Sequence, residues 1–332
     1  MEMPKKKYKW FPVICWVYLL VLVICYVSMH VAGEAFLPTT FLLFGPRWAL
    51  AVPLIILAPL ALLLYRKALW TVLLSAVLVL GPMMGLTAPV PFTGKNASAV
   101  SMNLRVLALN SHKIPSDSSA LAEVIHRNNP DLISIEECGP GWTQAAFGGI
   151  YPYFKCESEF AVFSKWPIES LDSQFWRKEH FQFRGFKITT PQGPIHFFCV
   201  HLASPHFSLA NTLKQKTGWK PSLLKNRIDR AAGAAELRRY SQDLAHIGPC
   251  IMAGDFNLPV ESGIYTEHLG DLTNAFSKVG WGYGISYHHH LTTTRIDHVL
   301  STKEVTPLKC WTEKEVGSPH LPIVADLRWD VK

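Results

Sequence analysis

The sequence predicts an α/β domain of two packed sheets flanked by helices, preceded by three membrane-spanning helices. Three observations carry this reading. The first 94 residues hold three long, uncharged apolar runs. From Met102 onward the chain breaks into short β-rich segments with turn residues and a few helical stretches between them, the texture of layered sheets and helices. Charge divides at the same place, with seven basic and two acidic side chains before residue 95, and 25 basic and 23 acidic after it. Most of the formal +7 thus belongs to the front end, and the near-neutral remainder argues against nucleic acid as the main partner.

The apolar runs are Phe11 to Met29, Trp48 to Tyr65 and Ala68 to Val90, of 19, 18 and 23 residues. About 20 apolar residues of helix cross a bilayer core, so each run is long enough. Pro53 and Pro59 are tolerated inside a span. The first run outlasts the core of a cleaved signal peptide, and no small-x-small site follows it. Lys5, Lys6, Lys7 and Lys9 precede the first span, and Arg66 and Lys67 separate the second from the third. The positive-inside rule then predicts a cytoplasmic N-terminus and an extracytoplasmic C-terminal domain. Residues 1–94 form the expected anchor, 95–101 a linker and 102–332 the second domain. Phe36 to Phe44 is apolar but short, either an extension of the second span or an interfacial segment.

In the second domain, strands are expected at Leu104–Leu109, Asp131–Ile135, Phe160–Phe163, Phe183–Thr190 and Ile195–His201. The last two are joined by a turn over Pro191–Pro194. An amphipathic helix over Ser118–Asn128 stops at Pro130, and a long helix covers Leu223–Ile247. Further strands follow at Cys250–Ala253, Arg295–Leu300, Leu308–Thr312 and Ile323–Trp329. Seven cysteines lack metal spacing; Cys199 and Cys250 fall in strands and read as inert core thiols.

The informative residues stand at strand ends: Asn110, Glu137, His201, Asp255 and Asn257 in Gly-Asp-Phe-Asn, Asp297 in Arg-Ile-Asp-His, and His320. Any one alone is more often a turn former or a structural histidine. All of them together, each able to bind metal, donate hydrogen bonds or move protons, point to a site at one sheet edge.

Their order resembles the endonuclease/exonuclease/phosphatase superfamily, which includes deoxyribonuclease I, exonuclease III, sphingomyelinases and inositol polyphosphate 5-phosphatases. Residues 130–137 (PDLISIEE) resemble its PDIVGLQE stretch, and residues 161–168 its G-x-A-I-x-S-R-x-P-I strand and turn. Val200-His201-Leu202 resembles its THL-type motif, and GDFN at 254–257 and IDHVL at 296–300 follow in order. The resemblance implies a four-layer α-β-β-α sandwich and phosphoester hydrolysis. It assigns Glu137, with Asn110, to one Mg²⁺ (or Mn²⁺) ion. Asp255 would activate water, Asn257 would contact a phosphoryl oxygen, His320 would pair with Asp297, and His201 would meet the phosphate or leaving group. Ser318-Pro319-His320 departs from the family's Ser-Asp-His, which removes a carboxylate and argues for a single ion.

His288, His289 and His290 alternate faces if extended and read as a loop at the site mouth rather than a metal cluster. Residues 204–239 carry eight basic and two acidic side chains, interleaved with Phe207, Leu209, Leu213 and Trp219. That pattern is a solvated face or a surface for anionic headgroups. Three spans followed by an external domain also resemble the teicoplanin-resistance membrane branch of the superfamily. The combined expectation is a Mg²⁺-dependent phosphoesterase acting on a lipid-linked phosphate, such as a polyprenyl diphosphate, among membrane lipids. A surface nuclease and a catalytically silent membrane-anchored binding module are the alternatives.

Overall fold

The computed structural model of the chain describes residues 8–89, 101–171, 182–205 and 219–330. The expected linker, except Ser101, lies outside these residues, as do Lys5 to Lys7, Phe207, Leu209 and Leu213.

The front end forms helices α1 (Trp10–Val31), α2 (Leu37–Phe44), α3 (Val52–Leu64) and α4 (Leu69–Leu78). Counting short turns at their ends, three segments are long and apolar enough to cross a membrane: Trp10–Val31, Arg47–Leu64 and Arg66–Met83. Their apolar side chains point outward as well as inward, with Ile55 74 % and Leu63 70 % exposed, which a helix in water would not sustain. Two inner clusters hold the bundle together. One joins Phe11, Cys15, Leu57, Ala61 and Val72, and the other joins Leu22, Met29, Leu43, Val79 and Met83. The third segment stops short of the expected Val90. Gly81 and Pro82 cannot continue the ladder, so the helix widens into a π-type turn over Val79–Met83 and Gly81 leaves helical geometry. Phe36–Phe44 does not extend the second span: α2 is a separate helix, ended by Gly45 and Pro46.

The second domain has two six-stranded sheets. The first contains β1 (Ser101–Asn110), β2 (Leu132–Glu136), β3 (Tyr153–Glu157), β4 (Phe160–Ser164), β13 (Val305–Thr312) and β14 (Ile323–Asp330), in the order β13-β14-β1-β2-β4-β3. The second contains β5 (Ile168–Ser170), β6 (Phe183–Thr190), β7 (Gly193–His201), β8 (Cys250–Asp255), β9 (Thr273–Asn274) and β12 (Asp297–Ser301), in the order β5-β6-β7-β8-β12-β9. A separate hairpin pairs β10 (Tyr287–His289) with β11 (Thr292–Thr294).

Alternation along the strands builds the layers. In β1, Leu104, Val106 and Ala108 join Phe186, Phe197, Ile251 and Val299 between the sheets. Leu107 and Leu109 face the other way, under helix α5 (Ser119–Asn128). Helices α6 (Trp219–Leu244) and α7 (Gly263–Leu269) cover the outer face of the second sheet through Leu237, Ile264 and Leu269 against Val200 and Met252. A last short helix, α8 (Ala275–Val279), packs Phe276 at the inter-sheet core. The expected four-layer α-β-β-α sandwich is therefore present.

Local signals explain the boundaries. Ser118 caps α5 by accepting from the Leu121 amide, and Asn129, in left-handed conformation (φ 44°), closes it before Pro130. Several strands run longer than expected because pairing, not hydrophobicity, sets their ends. Asp255 completes β8, Gly193 and Pro194 belong to β7 rather than to the turn, and Ser101 belongs to β1 rather than to the linker.

Phe163 is fully buried and touches Trp142, Phe147, Tyr151 and Phe154 beneath the first sheet. Phe163→Ala should cost about 3–5 kcal/mol, the usual range for a truncated core aromatic. Phe163→Leu should cost clearly less. Denaturant unfolding of the solubilised protein reads both, and equal, sub-kilocalorie losses would show that the ring cluster contributes little.

Candidate active site at one end of the sandwich

Strand register brings the strand-end residues together. In the second sheet His201 pairs with Asp255 and Asp297 pairs with Asp255, so the three stand in one row across β7, β8 and β12. In the first sheet Asn110 pairs with Glu136, and Glu137 follows at once. Packing sheet on sheet brings the two rows together: Asn110 Nδ2 donates to Glu137 Oε1 and to Asp255 Oδ2, each at 3.1 Å. Ser318 Oγ donates to the Asn110 carbonyl (2.7 Å), which ties in the loop carrying His320.

All seven expected residues meet here except that Asp297 reaches the group through His320. His320 Nδ1 lies 3.0 Å from both Asp297 oxygens, and its Nε2 lies 3.7 Å from Asp255 Oδ2. His201 Nε2 lies 3.6 Å from Glu137 and 3.9 Å from Asp255. Both hydrogens of Asn257 Nδ2 are engaged, by the Leu202 carbonyl (2.8 Å) and Asp255 Oδ2 (3.0 Å), and its backbone amide donates to Asp255 Oδ1 (2.8 Å). Its hydrogen bonds thus fix Asp255.

The backbone is strained where these groups are presented. Glu137 and Asn257 both adopt φ 49°, a conformation non-glycine residues adopt only when their surroundings impose it. Gly254 has φ 137°, and a Cβ there would run into the Val200 carbonyl and crowd the Glu136 carboxyl, so GDFN needs its glycine.

Sequence reasoning missed two acids. Glu159 holds His201 Nδ1 at 3.0 Å, two residues ahead of Ala161, where the G-x-A-I-x-S pattern has glycine. Glu136 is wholly buried behind Gly254; burial pushes its carboxyl well above the ordinary range, and the charges of Asp297 and Asp255 add to this against the Ser134 hydrogen bond. This carboxyl, its proton affinity raised by burial, stands where the PDIVGLQE stretch has glutamine, and that alignment was the available signal.

A cavity of about 540 Å³ opens over the group. Its walls include Asn110, Glu137, His201, Asp255, Asn257 and His320, together with Phe44, Tyr287, Ile296 and Pro319, the Tyr287 ring lying 4.8 Å from that of His320. His289 lines it and His288 does not, as expected of a hairpin at the mouth. Two carboxylates, Glu137 and Asp255, line it together with the side chains of Asn110, His201 and His320. Among the described residues the ion pairs of Glu137 are to His112 and His201 alone, so no lysine or arginine neutralises it. Such an oxygen-rich, under-compensated set fits a hard divalent cation. Asp255, Asp297 and His320 also offer ligand atoms within 4.8 Å of one another and could hold one. Asn110 turns its nitrogen toward the carboxylates, while its Oδ1 accepts from the His112 amide.

Burial lowers both histidines, but charged partners reverse the sign. Asp297 and Asp255 push His320 up to about 9, and Glu159, Asp255 and Glu137 do the same for His201. Burial raises Asp255 to about 6, against the opposing pull of His320. Each histidine is therefore held above its ordinary 6.5 in the folded state. The stability it adds is complete below pH 6.5 and is lost as pH rises through about 9. Melting temperature of the chelator-treated protein should fall across that window, and less steeply in His320→Gln. A profile that is flat there would contradict these ion pairs.

The model of a family described as Endonuclease/Exonuclease/phosphatase matches residues 100–320, two thirds of the chain. No curated protein matches it. Solved structures share the fold at low identity. A family protein from Bacteroides thetaiotaomicron is 15 % identical over 70 % of this chain and 99 % of its own (TM-score 0.50). The 3′ phosphatase NExo from Neisseria, bound to a product DNA hairpin, is 12 % identical over 67 % and 98 % (TM-score 0.50). An AP endonuclease from Archaeoglobus fulgidus is 16 % identical over 67 % and 98 % (TM-score 0.50). With its four layers, its row of paired strand-end residues and this match, the chain belongs to the endonuclease/exonuclease/phosphatase family, whose members are metal-dependent hydrolases of phosphoester bonds.

Proposed function

We propose that the protein is an extracytoplasmic, membrane-anchored phosphoesterase that hydrolyses a lipid-linked phosphate, a polyprenyl diphosphate being the substrate class that fits best. The observation that carries this reading is the cavity itself: its lining combines Asp255, His201 and His320 with Phe44, the last residue of a helix in the apolar bundle. A headgroup can reach the polar groups while its chain stays with the apolar ones.

Sidedness rests on charge. Lys9 and the Arg66–Lys67 turn stand at one end of the bundle, and the catalytic domain touches the other, near Gly33–Ala35, Trp48 and Leu80. Basic residues beside the spans at the far end favour a cytoplasmic position for that end.

The residues divide the work as follows. Glu137, with Asn110 beside it, would hold one Mg²⁺ or Mn²⁺ ion, which supplies charge neutralisation at the phosphoryl oxygens. Asp255, raised to about 6 and aligned by three hydrogen bonds from Asn257 and Asn110, is placed to accept a proton from water. His320, charged and fixed by Asp297, faces the developing negative charge, as does His201 from Glu159. Pro319 replaces the family's second acid, which favours a single ion.

The test is Mg²⁺-dependent phosphate release from a polyprenyl diphosphate in mixed micelles by the full-length protein. Asp255→Ala should lower the rate about 10²–10⁴-fold, the span of general acid–base contributions, and chelation should abolish it. Hydrolysis of a soluble phosphodiester without release from the lipid would sink the lipid assignment.

A further inference from the structure

The apolar bundle does more than touch the catalytic domain; it is clamped to it by buried polar groups at the cavity edge. Arg47, buried, donates from Nε to the Leu42 carbonyl (3.1 Å) and from Nη2 to the Leu43 carbonyl (2.8 Å), closing the C-terminus of α2. Its Nη1 donates to the Met83 carbonyl and pairs with Glu261 of the catalytic domain, each at 3.0 Å. On the other side of α2, Arg230 of helix α6 is fully buried, with its guanidinium 5.2 Å from the centre of the Phe44 ring. Arg230 also faces the carbonyl of Asn257, the residue that fixes Asp255, at 3.4 Å. Glu34, in the turn before α2, accepts from Ser262 Oγ at 2.5 Å. Burying two arginines is costly unless they are paired and hydrogen-bonded, and here they hold one helix end in one place.

What they hold is Phe44. It lines the cavity, as do Tyr287, Ile296, Pro319 and Pro205, in the same lining as Asp255 and His320. Phe41 lies one helical turn back on the same side of α2 and is 43 % exposed. In the turn of the β10–β11 hairpin, Leu291 is 66 % exposed and its carbonyl accepts from Trp48 Nε1 (2.9 Å). Phe41 and Leu291 thus offer exposed apolar surface close to the cavity-lining Phe44 and Thr292.

We infer that the bundle supplies an apolar subsite of the active site, in which Phe44, positioned by Arg47 and Arg230, receives the first part of the substrate's hydrocarbon chain. The inference rests on the lipid-phosphate reading and deepens it: the anchor selects substrate as well as tethering the enzyme. The subsite takes an unbranched or isoprenoid chain attached directly to phosphate, with the chain running outward past Phe41.

The test compares KM and kcat of the full-length protein for a long-chain and a short-chain prenyl phosphate in the same micelles. Phe44→Ala should raise the long-to-short KM ratio about tenfold, and Phe44→Leu should recover part of it. Glu261→Gln, which loosens the clamp, should move the ratio in the same direction. Leu63→Ala, at the far end of the bundle, should leave it unchanged. Equal changes for both substrates in Phe44→Ala would overturn the subsite. A second measurement uses the wild-type protein and a benzophenone-bearing prenyl phosphate: crosslinks should map to residues 37–50 and 283–296, and crosslinks confined elsewhere would also overturn it. If the wild type processes neither prenyl phosphate but cleaves a soluble phosphodiester, the lipid-phosphate reading itself has failed.

Discussion

Four carboxyl groups, Glu136, Glu137, Asp255 and Asp297, crowd one end of the two sheets, and the surrounding structure answers to their mutual repulsion. Three are nearly or wholly inaccessible to water, where an unpaired carboxylate is expensive. Each has a different solution. Glu136 rises toward neutrality, Asp297 shares its charge with His320, and Asp255 gathers donors from Asn110 and Asn257. Glu137, more exposed than the other three, lines the cavity with Asp255, and its ion pairs among the described residues are to histidines. This spread of environments gives the four carboxyls different protonation tendencies within one cluster.

The sandwich was legible because its strands are bounded by strong signals: Pro130, the Pro191–Gln192 turn, GDFN, and apolar runs too short for helices. The site was legible because metal-competent and proton-competent residues stood at strand ends in a known order. Glu159 and Glu136 were not legible in the same way. Their roles come from what folds against them, His201 forty-two residues away and Gly254 on the other sheet. Strands β3 and β5, and helices α7 and α8, also escaped, being five, three, seven and five residues long with little periodicity to read.

The relation between the front end and the catalytic domain was the larger gap. A short linker suggests a tethered domain free to move. Instead Arg47 meets Glu261, Trp48 meets Leu291, Tyr283 meets Leu80, and Thr87 pairs with Gly282. All are contacts across two hundred residues or so, three made by a side chain and one a backbone bridge, with no local pattern to announce them. The physical reason is the bundle's own end: the carbonyls left open by α2 and by the Gly81–Pro82 break need donors, and Arg47 supplies them while facing Glu261.

The pairing of β1 with β14 bears on how such a molecule is made. β1 ends at residue 110, yet its antiparallel partner begins at residue 323, so one edge of the first strand stays open while everything between them is synthesised. By then the three apolar helices have already left the ribosome. The catalytic domain must therefore close its first sheet late, after its neighbours on the chain are in place. Contacts this distant in sequence fold slowly. An open strand edge held near others of its kind is a route to misassembly, so biogenesis rather than final stability is the stage at which this architecture is most exposed.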